Sequence, residues 1–149
     1  MSDGPPKLIA IDHDDYHATH VGRTADGRQF FLTTPFVPAV GRKPGREFIA
    51  LFLFDRKGQF VEARIEDLGT RADMNREEAQ RLFELRFSEL GEVELDRIEI
   101  APFQVERFGT IFGLIPRPPE TDGDGWWVEL HPGNYMAFHA PFESGEYYT

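Results

Sequence analysis

Three of the chain's five histidines fall within the nine residues Asp12-His13-Asp14-Asp15-Tyr16-His17-Ala18-Thr19-His20. With Asp12, Asp14 and Asp15 they make six side chains able to ligate a metal or carry a proton. Imidazole and carboxylate are the ligands of hydrolytic metal centres, where the ion acidifies a bound water. A small metal-dependent hydrolase built on His13, His17 and His20 is therefore one reading. Spacing weighs against it. On a strand His13 and His17 stand about 13 Å apart at ~3.3 Å per residue, whereas zinc ligands sit about 2 Å from their ion. His20 would also point the other way. The aspartates suit a solvated turn. His131 and His139 could approach this window only through tertiary folding. If a site does form, zinc or manganese should raise the melting temperature, because binding to the folded state alone stabilises it. Purified protein that holds no metal and shows no shift excludes it.

Other chemistries find less support. There is no cysteine, which excludes zinc ribbons, thiol nucleophiles and disulfide frameworks. The three serines, Ser2, Ser88 and Ser144, lie in no Gly-x-Ser-x-Gly elbow. Gly41-Arg42-Lys43-Pro44-Gly45 lacks the spacing of a phosphate loop. Asp14/Asp15 and Glu77/Glu78 are sequence neighbours, whose side chains diverge in a regular element. No cofactor motif is present, and no cofactor is expected.

Charge narrows the partners. The 149 residues carry 26 acidic and 16 basic side chains, a formal net charge of −10. Phosphate-backbone binding needs clustered positive charge, and the one basic cluster is Arg42 to Arg46. Nucleic acid is disfavoured, and a protein partner suits the acidic surface better. No apolar run approaches the ~18 residues of a membrane span. The first residues show no charged-then-apolar signal pattern, so the expected compartment is the cytoplasm.

The elements that must position these residues read as α+β. One domain is expected over 1–149, with 1–6 as a flexible tail. Tyr16 to Thr24 and Gln29 to Phe36 flank an Asp26-Gly27 turn, a hairpin signal. Phe48 to Phe54 is apolar on both faces and predicts a central, doubly covered strand. Phe60 to Glu66 alternates, predicting a strand with one wet face. Asn75 with Glu78 three residues on has the capping-box spacing, and opens a helix over Arg76 to Leu90 with Gly91 at its end. Glu77 and Arg81 are spaced for an i,i+4 pair on it. Leu95 to Phe103 and Thr110 to Ile115 predict a hairpin through Glu106-Arg107-Phe108-Gly109, followed by a loop over 117–125. Trp126 to His131 is the last clear strand, with Tyr135 to His139 as an extension. The sum is a mainly antiparallel sheet of about five to seven strands, with one helix on one face.

Most of the 14 Phe fall at core-patterned positions. Trp126-Trp127 differ, because strand neighbours face opposite ways, so one Trp can be core and the other exposed. An exposed Trp near Tyr135, Tyr147 or Tyr148 would make a contact anchor. The same exposure, with an edge strand, leaves a homodimer open.

His20-Val21-Gly22-Arg23, Asp26-Gly27-Arg28-Gln29-Phe30, Ile100-Ala101-Pro102-Phe103 with Phe112-Gly113-Leu114, and Val128 to Pro132 through Gly145 to Thr149 occur in order along most of the chain. In these segments the chain resembles small bacterial proteins labelled formate hydrogenlyase regulatory proteins (HycA-like). The resemblance implies a cytoplasmic regulator and supplies no catalytic residues. The expected function is a non-enzymatic, regulatory or protein-binding role through an acidic, aromatic surface. Candidate binding residues are His17, His20, Arg23, Trp126, Trp127 and Tyr135. An immunity protein that neutralises a basic toxin is an alternative on the same surface.

Overall fold

The computed structural model describes residues 5–14, 18–121, 123, 125–132, 137–139 and 142. Among these the chain forms β1 (Ile9–Ile11), β2 (Val21–Thr24), β3 (Gln29–Thr33), β4 (Phe36–Val37), β5 (Arg46–Phe54), β6 (Phe60–Gly69), α1 (Arg76–Ser88), β7 (Val93–Leu95), β8 (Ile98–Ile100), β9 (Phe103–Arg107), β10 (Thr110–Arg117), β11 (Trp127–His131) and β12 (Ala137–His139). The fold is α+β, and the pairings among the described strands are antiparallel. A six-stranded sheet runs β6-β5-β3-β2-β7, with β4 continuing the β3 edge of β5. A four-stranded sheet runs β12-β11-β10-β9, and β1 pairs β8 in a separate ribbon.

Strand β5 explains the layering. Phe48, Ala50, Phe52 and Phe54 face one way and Ile49, Leu51 and Leu53 the other, and all seven are buried. The first set packs with the inner faces of the four-stranded sheet and the β1–β8 ribbon, through Ile9, Ile100, Phe112, Leu114 and Leu130. The second set packs with Phe30 and Leu32 of β3 beneath Leu82, Phe83 and Phe87 of the helix. The doubly covered strand expected from the sequence is present, and it makes a helix–sheet–sheet sandwich.

There are more strands than the expected five to seven. Leu95 to Phe103 is not one strand. It breaks at Asp96-Arg97 and again at Ala101-Pro102, and its pieces enter three different sheets as β7, β8 and β9. Pro102 has no N–H to give a ladder, and Asp96 Oδ1 accepts from the Arg97 N–H at 2.7 Å. The first hairpin is also shorter than expected, because β2 starts at Val21. A Cβ at Gly22 would strike the Glu94 carbonyl, so glycine lets β7 lie close against β2.

The helix begins as read. Asn75 Oδ1 accepts the Glu78 N–H at 3.0 Å, which satisfies one of the free N–H groups of the first turn. It ends at Ser88, two residues early, where the Leu90 N–H turns back to Phe87 O at 3.1 Å and Gly91 takes a left-handed φ of 72°. Arg81 meets Glu78 at 3.6 Å in place of the expected Glu77. The last turn is tied to β6. Arg86 donates to Glu66, and to Glu89 at 2.7 Å.

Two substitutions test this account by urea denaturation. Phe52→Ala should cost about 3–5 kcal/mol, the range for emptying a packed phenyl site. Asn75→Ala should cost about 1 kcal/mol through the lost cap. A Phe52→Ala loss no larger than that of Asn75→Ala would contradict the two-sided core.

Candidate functional site

The described residues of the histidine window, 12–14 and 18–20, lie outside any helix or strand. Asp14 Oδ1 accepts the Ala18 N–H at 3.1 Å, and the Asp14 N–H donates to Ala18 O at 3.1 Å. The strand expected from Tyr16 is therefore absent at residues 18–20, and His17 lies outside the described residues. Among the described residues no three His, Asp or Glu side chains gather around one point.

His20 leaves this loop and enters an apolar corner of the helix–sheet layer. Its ring meets Phe83 edge-on at 4.8 Å and Phe87 at 4.7 Å. Its Nδ1 lies 2.7 Å from Thr19 Oγ1. Burial pushes its pKa below 6.5, and the charge of nearby His13 pushes the same way.

Beside His20 opens a groove of about 850 Å³ between the N-terminal half of α1 and the six-stranded sheet. Helix and strand lengths explain it. The 13-residue helix spans about 20 Å. The nine residues of β5 span about 30 Å. One helix cannot cover that face, and no residue of α1 is fully buried. Leu32, Ile49, Leu68 and Phe83 line the apolar part of the groove, and Thr34, Glu47, Arg71, Arg76 and Gln80 add polar groups. Glu47 Oε1 accepts from Arg71 Nε at 3.0 Å and Nη2 at 2.8 Å. A turn sets Arg71 there: Met74 N–H donates to Thr70 O at 2.9 Å and Thr70 Oγ1 to Asp73 Oδ2 at 3.0 Å. Arg76 makes no ion pair among the described residues.

The other sequence candidates lie elsewhere. Arg23 pairs with Asp96 at 3.4 Å with both side chains half exposed, and it does not line the groove. Such a pair contributes about 0–1 kcal/mol. Trp126 and Trp127 are both half-buried, so the expected core Trp is not found. Val128 and Leu130 occupy the core positions of β11, which turns Trp127, Glu129 and His131 to the outer face. There Glu129 Oε1 accepts from Arg117 Nε at 2.7 Å and lies 3.3 Å from His131 Nε2. His20 and His131 thus lie in different layers with the main core between them, and they share no site. His139 is exposed opposite Trp127. Tyr135, Tyr147 and Tyr148 fall outside the described residues.

Comparison with protein-family models, curated proteins and solved structures finds no match to this chain.

Sequence reading finds His20 and misses the rest of the groove. Glu47 and Arg71 are 24 positions apart and become neighbours only through the β5–β6 pairing. The one local clue is Gly69-Thr70 with Asp73, a turn composition just before the helix cap.

His20 carries a testable consequence. Its ring should titrate below 6.5 by NMR. Above that pH it is neutral in both folded and unfolded chains and contributes no difference. As pH falls from 6.5 toward the folded value, the unfolded chain takes the proton first, so stability drops. Urea midpoints at about pH 8 and about pH 5 should therefore differ less in His20→Phe than in the unmodified chain. A His20 titration at or above 6.5 would contradict the apolar placement.

Proposed function

We propose that this chain is a non-enzymatic cytoplasmic protein that binds another protein. Its contact surface is the β9–β10 hairpin and the adjoining outer face of the four-stranded sheet. Phe108 carries the reading. Phe108 and Gly109 form a two-residue turn with φ of 55° and 71°. Asn-Gly is the favoured pair for such a turn. A bulky residue in the left-handed region costs about 1–2 kcal/mol. Phe108 stacks on Phe48 at 6.2 Å but leaves 57% of its surface exposed. Packing alone is a poor reason to hold an aromatic residue there. Ile111, in the same hairpin, is 43% exposed, and Trp127 adds a half-buried aromatic on the outer face. Large apolar anchors of this kind dominate protein contacts. Glu106 sits across from Ile111 and supplies an acidic rim, in keeping with the −10 net charge and suited to a basic rim on the partner. A regulatory role by protein contact agrees with the resemblance to the formate hydrogenlyase regulatory group. The absence of cysteine suits the cytoplasm, and no helix among the described residues is long and apolar enough to cross a membrane.

The test is a photo-crosslinking residue placed at Ile111 and, as control, at Leu85, whose side chain is 49% exposed on the helix. In cells of the native host, Ile111 should give one discrete protein adduct and Leu85 none. Phe108→Asn should abolish the adduct while leaving the melting temperature unchanged or raised, because Asn accepts the left-handed turn. No adduct at Ile111, or an adduct that survives Phe108→Asn, sinks the reading.

A further inference from the structure

The groove beside His20 has an unusual charge balance for so acidic a chain. The guanidinium of Arg71 is engaged by Glu47, with both bonds to Oε1 at 3.0 and 2.8 Å. That pair neutralises itself. Arg76 is left as the groove's one uncompensated charge among the described residues. It stands in the first turn of α1, where the aligned peptide dipoles favour an anion and where Glu77 and Glu78 also sit. The lining is mixed: Leu68, Met74, Ala79 and Phe83 offer half-buried apolar surface above the buried Leu32 and Ile49, and Thr19, Thr34 and Gln80 lie beside them. The volume of about 850 Å³ lies inside the range of about 300–1,000 Å³ typical of small-molecule sites.

A cleft of this size, with an apolar bed and one free guanidinium at its rim, complements a molecule with an apolar body and one negative end. We propose that the groove binds a small amphipathic carboxylate, its chain or ring lying on Leu68, Met74 and Phe83 and its carboxylate on Arg76. A planar fork suits a carboxylate, since guanidinium can donate two parallel hydrogen bonds to it. The Arg71–Glu47 pair borders the site without net charge, so Arg76 is left to meet a single carboxylate. His20 forms one wall. The groove is lined by no residue of the β9–β10 hairpin, although Phe48 both lines it and stacks on Phe108. It lies on the helix side of the six-stranded sheet, whereas the outer face of the four-stranded sheet lies beyond the main core.

Decanoate is a suitable probe, with decanol as the neutral control and decylammonium as the opposite charge. Titration followed by NMR should give saturable decanoate binding, with shifts confined to Leu68, Met74, Phe83 and their neighbours. Decanol should bind at least several-fold more weakly and decylammonium weaker still. Arg76→Glu should weaken decanoate at least tenfold, and Arg76→Lys should retain part of the affinity. Arg76 is exposed, so neither change should disturb folding. Ala79→Trp, which fills the groove from the helix side, should abolish binding while circular dichroism stays unchanged. If Ala79→Trp fails to fold, the Arg76 pair still decides. The proposal is overturned by no saturable decanoate binding, by equal affinity for decanol, by unchanged affinity in Arg76→Glu, or by shifts centred on Phe108 and Ile111.

Discussion

The burial of β5 on both faces is the constraint from which the other layers follow. A strand apolar on every residue from Phe48 to Phe54 needs a cover on each side. The chain supplies a helix for Ile49, Leu51 and Leu53 and a second sheet for Phe48, Phe52 and Phe54. Such a strand carries little register information of its own, since a slip by one residue exchanges one apolar set for another. Its neighbours must set the register. On β6, Glu62, Arg64 and Glu66 lie opposite Leu53, Leu51 and Ile49, while Ala63 and Ile65 lie opposite Phe52 and Ala50. A slip there would drive charges into the main core. The Asp55 carboxylate fixes the connecting turn by accepting the Lys57 and Gln59 N–H groups, each at 2.9 Å.

This division explains what was legible in the sequence. The helix start, the Asp26-Gly27 hairpin and the all-apolar strand are set by residues close together in the chain, and each is found; the hairpin expected through Glu106 to Gly109 closes more tightly, through Phe108-Gly109 alone. Leu95 to Phe103 reads as one strand because its apolar residues are continuous in sequence, while its pieces answer to three separate sheets. The charged face of β6 reads as wet. In the fold it is partly covered by Arg86 and Glu89 at the end of the helix. The histidine window drew attention by residue type, yet of its described histidines His20 alone lines the groove, and what gives His20 its setting is Phe83 and Phe87, more than 60 positions away.

The helix is held differently from the sheets. None of its residues is fully buried. Three side chains rest on the sheet, and the Arg86 pairs anchor its last turn. A helix seated mainly at one end leaves room at the other, so the groove and the short helix have one cause. Extending the apolar stripe toward Arg76 would close the space and secure the helix more firmly.

Gln29 deserves its place in the core for a related reason. It is 4% exposed, and its side-chain amide imitates a strand backbone. Nε2 donates to Glu99 O at 2.9 Å and to Asp55 O at 3.3 Å, while Oε1 accepts the Glu99 N–H at 2.7 Å. The β1–β8 ribbon belongs to no larger sheet, and this one amide stitches it to β3. Hydrolysis of that amide to a carboxylate would set an acceptor against two carbonyl oxygens at once. Beside the Ala101 N–H bond to Gly58 O at 2.8 Å, the ribbon's attachment, with Ile9, Ile11, Ile98 and Ile100 sealed behind it, is thus tied in part to the chemical ageing of a single nitrogen.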